Sequence, residues 1–108
     1  METKSLFIEF MGYSPMIRLL DYLLTERELD FSITDMAENA GIGRATLYRL
    51  WGNLIKNRII VHTRDIGKAK LYKLNKDSAK IKKLMEIDDA LMLEDLKKRS
   101  EARKVIAA

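Results

Sequence analysis

Cysteine is absent from the 108 residues, which excludes disulfides and every thiolate metal site and suits a reducing compartment. His62 is the single histidine, so a histidine-cluster metal centre is excluded as well. The one proline, Pro15, and the lack of any low-complexity tract leave no linker, and a chain of this length is expected to form one domain. No apolar run approaches the roughly 18 residues that a membrane span needs. The opening METKSLFIEFMGYSP has neither the basic start nor the long apolar core of a signal peptide, so a cytoplasmic location is expected. Phosphate-binding and dinucleotide-binding glycine motifs are missing, as is any nucleophile–base pattern. The sequence therefore points away from an enzyme and calls for no cofactor and no metal.

Charge is present but unevenly spread. Residues 1–43 carry 3 Lys/Arg against 8 Asp/Glu, a net of −5; residues 44–83 carry 12 against 2, a net of +10; residues 84–108 carry 5 against 6, a net of −1. A basic block of this density suits a polyanionic partner, the alternative being a solvated lysine-rich surface.

Periodicity predicts mainly helix with one small β-hairpin. KSLFIEFMG reads as a short helix, with a strand as the alternative, ending at Gly12. Ser14-Pro15 has the form of an N-cap followed by proline at the first helical position. Ile17, Leu20, Leu23 and Leu24 recur at helical spacing, predicting a helix to about Glu28. DFSI suits a brief strand, and Ser32 with Asp35 fits a capping box for a helix over 33–40 that Gly41 terminates. A further helix runs from Gly43 or Arg44 to about Lys56, its apolar face formed by Leu47, Leu50, Trp51, Leu54 and Ile55. The period then changes. RIIVHTR is β-branched and KAKLYKL alternates, with DIGK between them and Gly67 making the turn. Asp77 or Ser78 caps a last helix from about Ala79, whose polar end KKRSEARKVIAA is expected to fray.

This order, and above all MAENAGIGRATLYRL, resembles the winged helix-turn-helix of prokaryotic and archaeal transcription regulators of the MarR/ArsR type. Met36, Ala40, Ile42, Leu47 and Leu50 fall where such a unit needs apolar residues. Ala37 and Gly41 fall where crossing helices need a small side chain and a turn-former. The resemblance implies a core over 14–76, with 1–13 and 77–108 as flanking helices. Two positions depart from the pattern. Gly43 stands where serine often caps the recognition helix, and Asn57-Arg58 stands where glycine often precedes the first wing strand, a place where Asn57 tolerates the left-handed conformation.

The resemblance further implies sequence-specific binding of double-stranded DNA, with residues 43–56 in the major groove. The outward set is then Arg44, Ala45, Tyr48, Arg49 and Gly52. Arg44 and Arg49 each offer two donors to guanine, Ala45 or Thr46 meets a thymine methyl, and Tyr48 meets a phosphate. Gly52 permits close approach to the DNA backbone or to another helix. In the wing, Arg64 and Lys68 are the foremost backbone ligands, followed by Lys70, with Lys73 on the outgoing strand. Lys76, Lys80, Lys82 and Lys83 read mainly as solvated. His62 reads as a half-exposed strand residue, Trp51 as core, and Asp88-Asp89 as a solvated face or helix start rather than a metal or acid/base pair. Ile81, Leu84, Met85, Leu91 and Met92 form an apolar stripe on the last helix that needs a cover. The expected cover is a homodimer through the terminal helices, the alternative being a fold-back onto the same chain. Two other functions fit the same pattern: a winged-helix protein-assembly module, and an architectural or replication-associated binder with little sequence preference. Any effector, the operator and the sign of regulation are not written in the residues.

Overall fold

The computed structural model describes residues 5–107, with side chains to residue 103; Lys4, at the start of the first expected helix, lies outside them. Helices α1 (Leu6–Met11), α2 (Pro15–Thr25), α3 (Ile33–Ala40) and α4 (Arg44–Lys56) precede strands β1 (Ile60–Ile66) and β2 (Ala69–Leu74), and helix α5 (Ala79–Ala107) closes the chain. Serine begins three of the helices. The Ser5, Ser14 and Ser32 hydroxyls accept from the amides of Ile8, Ile17 and Asp35 at 3.0, 3.2 and 3.1 Å, satisfying donors that a helix start leaves unpaired. Ser5 also donates to Asp21 Oδ1 at 2.7 Å, which ties α1 to α2.

The core forms where the apolar stripes of these helices meet the hairpin. Phe7, Leu19, Leu23, Leu24, Met36, Leu47, Leu54, Leu74 and Ile81 are completely enclosed. The turn falls at Gly67 as expected, but the connection is two residues shorter than DIGK. Asp65 and Ile66 belong to β1, and only Gly67-Lys68 connects the strands, with Gly67 at φ +61°. The ladder pairs Ile60 with Leu74 and Ile66 with Ala69, and a bulge at Thr63 interrupts it between His62 and Arg64. Phe31 adds a third, one-residue strand on the far edge of β2, exchanging two 2.8 Å backbone hydrogen bonds with Tyr72.

Two helix ends and one left-handed position differ from the sequence reading. Helix α2 stops at Thr25, because Glu26 leaves helical geometry (φ −108°, ψ 42°) and Arg27 Nε donates to the Leu24 carbonyl. Helix α5 continues through the polar tail to Ala107; lysine, arginine, glutamate and alanine are strong helix formers, and Asp95 pairs with Arg99 one turn on. At the end of α4 the left-handed residue is Arg58 (φ 53°), not Asn57 (φ −90°, ψ 6°). The Arg58 amide bonds Ile55 O and the Ile59 amide bonds Leu54 O, the paired closure of a Schellman motif, which fixes the left-handed position one residue later.

Asp88 also corrects the sequence reading. It is buried, not solvated, and pairs with Arg27 Nη2 at 3.1 Å, while the exposed Asp89 takes the same nitrogen at 3.2 Å. Burial pushes the Asp88 carboxyl up, against the pull of the Arg27 guanidinium. Helix α5 thus folds back on its own chain through Ile81 and Asp88, with α1 packed beside it. Its 29 residues span about 43 Å and still expose Ile87, Met92, Leu93 and Leu96.

Two substitutions test this description. Arg58→Gly removes a Cβ clash from a left-handed residue and is expected to raise the unfolding free energy by about 1 kcal/mol in urea denaturation; a loss of stability would contradict the closure described. Arg27→Met leaves a buried carboxylate without its cation and is expected to cost about 3 kcal/mol at pH 7. Because the folded-state pKa of Asp88 is raised, the folded chain takes up the proton first, so part of that loss returns as the pH is lowered towards 5. Equal losses at pH 7 and pH 5 would show that Asp88 is not the group left exposed to the penalty.

Candidate nucleic-acid interface

A glycine corner presents α4. Gly41 sits at φ 71°, ψ 33°, its amide bonds Glu38 O at 3.1 Å, and the Ile42 amide bonds Ala37 O at 3.0 Å, a second Schellman closure. Ala37 is enclosed at the helix crossing. Arg18 reaches from α2 to donate to the Gly41 carbonyl at 2.9 Å, bracing the turn from behind. Gly43 then begins α4 with no side-chain cap.

The two faces of α4 divide as its spacing predicts. Leu47 and Leu54 are inaccessible, and Leu50 and Trp51 are half-buried against the core. Trp51 meets Tyr72 edge-on with ring centroids 4.8 Å apart. Arg44, Ala45, Tyr48, Arg49 and Gly52 face outward, and Thr46 is half-exposed. Ile55 departs from the expected apolar face, at 48% exposure. Arg44 Nη2 donates to the Tyr48 hydroxyl at 3.4 Å and Arg49 Nη2 to Thr46 Oγ1 at 3.0 Å. Both guanidinium groups therefore rest on neutral hydroxyls of their own helix rather than on carboxylates.

The wing joins this surface across a cleft of about 330 Å³. Arg44 from α4, Lys68, Ala69, Lys70 and Tyr72 from the hairpin, and Ser32, Ile33 and Thr34 from the start of α3 line it. Three cations and a helix N-terminus, the positive end of its dipole, thus surround one open space. Sequence reasoning missed the contribution of Ser32 and Thr34. The capping pattern at Ser32 was visible, but not its proximity to the wing.

Two neighbouring cations, Arg64 of the wing and Lys76 beyond it, are engaged, whereas Lys73 on β2 takes part in no ion pair among the described residues. Asp30 takes Arg64 Nε at 3.0 Å and Nη2 at 3.2 Å, so this expected backbone ligand is already paired. Lys76 pairs with Glu28. Arg64 and then Thr63 hold the Asp30 carboxyl below its ordinary range, and Lys76 does the same for Glu28. Among the described residues no ion pair involves Arg44, Arg49, Lys68 or Lys70. His62 is half-exposed and bonds Asp65 Oδ1 at 2.6 Å, as a strand residue would. Lys83 pairs with Glu86, and Lys80 lies 3.4 Å from Asn57 Oδ1.

A larger cavity of about 560 Å³ shares no residue with the cleft. It lies among α1, α2 and the end of α3, where Arg18 faces Asp21 and Glu38. Tyr22 accepts from Asn39 there at 2.9 Å, and burial pushes its hydroxyl pKa up. Its opposed charges give it no preference for a polyanion. Among the described residues no group of His, Asp or Glu side chains is arranged to hold a metal ion, and no helix is long and apolar enough to cross a membrane.

A helix–corner–helix followed by a basic hairpin, with a one-residue third strand at Phe31, defines the architecture. The fold is a winged helix-turn-helix. Among solved structures, the winged helix resembles a mutant of Staphylococcus aureus MepR bound to an oligodeoxyribonucleotide, with a TM-score of 0.62 and 17% identity over 94% of this chain and 78% of that one. It resembles MepR itself, described as a transcription regulator of the multidrug efflux pump MepA, with a TM-score of 0.60 and 20% identity over 93% and 76%. A Lactococcus lactis ZitR mutant in apo form gives 0.58 and 16% over 86% and 76%. No protein-family model and no curated protein sequence matches the chain.

Gly52 offers a direct check on the outward face. A Cβ built there meets nothing within 4 Å, so nothing among the described residues requires glycine. Gly52→Ala is expected to stabilise the helix by about 1 kcal/mol in thermal or urea unfolding; destabilisation would mean that a neighbouring element closes over this face.

Proposed function

We propose that the protein is a sequence-specific double-stranded DNA-binding regulator of transcription. Helix α4 enters the major groove, and the Gly67-Lys68 end of the wing lies on the backbone or minor groove. The carrying observation is the cleft in which Arg44, Lys68 and Lys70 converge with no carboxylate among its lining residues, while Arg64 and Lys76 nearby are paired with Asp30 and Glu28. Uncompensated charge on one face gains most by displacing counterions from a phosphate backbone. The oligonucleotide held by the MepR mutant supports the reading, since that protein shares the fold.

Roles divide by chemistry. Arg44 and Arg49 carry planar donor forks and read base edges. Ala45 and Thr46 offer methyl groups to thymine, and Tyr48 donates to a phosphate. Lys68 and Lys70 are point charges for the backbone and position without reading sequence. Arg64 drops out of this set because Asp30 holds it. The exposed apolar residues of α1 and α5, Phe10, Met11, Met92, Leu93 and Leu96, support a homodimer in which a second copy covers them. Two recognition helices related by a two-fold axis then meet half-sites about one DNA turn apart.

Selection from a random duplex pool, followed by fluorescence titration at two salt concentrations, tests the assignment. Arg44→Ala or Arg49→Ala is expected to cost about 1–3 kcal/mol on the selected site and to relax preference at one position. Lys68→Ala weakens selected and random duplexes alike and lowers the salt slope by about 1. Identical behaviour of the three variants on both duplexes would contradict the division of roles, and failure to enrich any sequence would favour an architectural binder or an assembly module.

A further inference from the structure

The connection between α2 and α3 carries a charge pattern that DNA contact does not use. Arg27, Glu28 and Asp30 each reach a different part of the chain. Arg27 bonds Asp88 and Asp89 on α5, Glu28 bonds Lys76 beyond β2, and Asp30 bonds β1. Asp30 is the most heavily engaged of the three. Its carboxylate accepts from Thr63 Oγ1 at 2.6 Å and from two nitrogens of Arg64, and its side chain is only 18% exposed. Thr63 is the extra residue of the β1 bulge, where the ladder skips from His62 to Arg64. A bulge bends its strand and is where the direction of a hairpin is set. Phe31, the next residue, is hydrogen-bonded to Tyr72 across β2, so the backbone that carries Asp30 is itself anchored to the wing.

We propose that Asp30 is the positioning residue of the wing: by clamping the Thr63 hydroxyl and the Arg64 guanidinium at the bulge, it fixes the angle at which Lys68 and Lys70 face Arg44 across the cleft. This deepens the DNA-binding reading and rests on it for its consequence, though the clamp itself is observable without DNA. Arg64 then serves as a brace and touches no phosphate. A hairpin of two strands is marginal alone and swings when its base is loose. Holding it in advance spares the complex the cost of ordering it on binding.

The test uses the full chain with Asp30→Asn, Arg64→Gln and the double variant. Amide hydrogen exchange without DNA is expected to speed up across residues 63–70 in each variant, while the amides of α4 keep their protection. Titration with the selected duplex is expected to show each single variant about tenfold weaker, with an unchanged salt slope and no further loss in the double variant. Unchanged exchange in residues 63–70 overturns the clamp whether or not DNA is bound. Tighter binding by Asp30→Asn, with Arg64→Gln lowering the salt slope by about 1, also overturns it, because Arg64 would then be a phosphate ligand that Asp30 merely screens. If the exchange result holds but no duplex binds any form of the protein, the clamp stands and the DNA-binding reading fails.

Discussion

Burial of Leu47 and Leu54 decides what the rest of the molecule can do. Both side chains are wholly enclosed, so α4 cannot rotate without exposing two leucines, and truncating either to alanine would cost about 2–5 kcal/mol. With that side fixed, helical geometry leaves Arg44, Tyr48 and Arg49 no place but the outer surface. The Gly41 corner determines where this surface begins, and Arg18 holds the corner by its carbonyl. An apolar constraint on one face of one helix thus becomes a charged instrument on the other.

The second constraint is how the charges are partnered. The excess of cations in residues 44–83 suggests a uniformly basic surface, but the acidic residues of the α2–α3 connection remove part of it. Glu28 and Asp30 neutralise Lys76 and Arg64, while Arg44, Arg49, Lys68 and Lys70 have no acidic partner among the described residues. Net charge therefore overstates the surface available to a polyanion and blurs its location. The short basic set around the cleft is the more informative quantity. The same connection ties α5 through Arg27 and Asp88, so β1, α5 and the segment between β2 and α5 share one small anchor.

How much the sequence disclosed follows from the range of each interaction. Ser14-Pro15, Ser32 with Asp35, and the Gly41 corner act within a few residues, and each stands where its local chemistry demands. The outward and inward faces of α4 were legible for the same reason. The turn at Gly67 stands where the sequence put it, but the connection is shorter than DIGK because strand length is set by pairing with a partner that the pattern does not display. Arg58 took the left-handed position expected of Asn57 because the Schellman bonds count back from Ile59, not from residue preference. Asp30–Arg64 and Arg27–Asp88 join residues 34 and 61 apart, and nothing local marks either pair. The sequence did show that the last helix needs cover, and the structure supplies part of it from α1 and the core while leaving Met92, Leu93 and Leu96 open.

In the proposed complex one charged face, made of the start of α4 and the end of the wing, meets duplex DNA. The most direct measurement is the map of amide chemical-shift changes when a selected duplex is added to isotopically labelled protein. The largest changes are expected at residues 32–34, 44–52 and 67–70, with residues 81–91 of α5 little affected. Changes concentrated on α5 or on the cavity beside Arg18, with α4 silent, would contradict it.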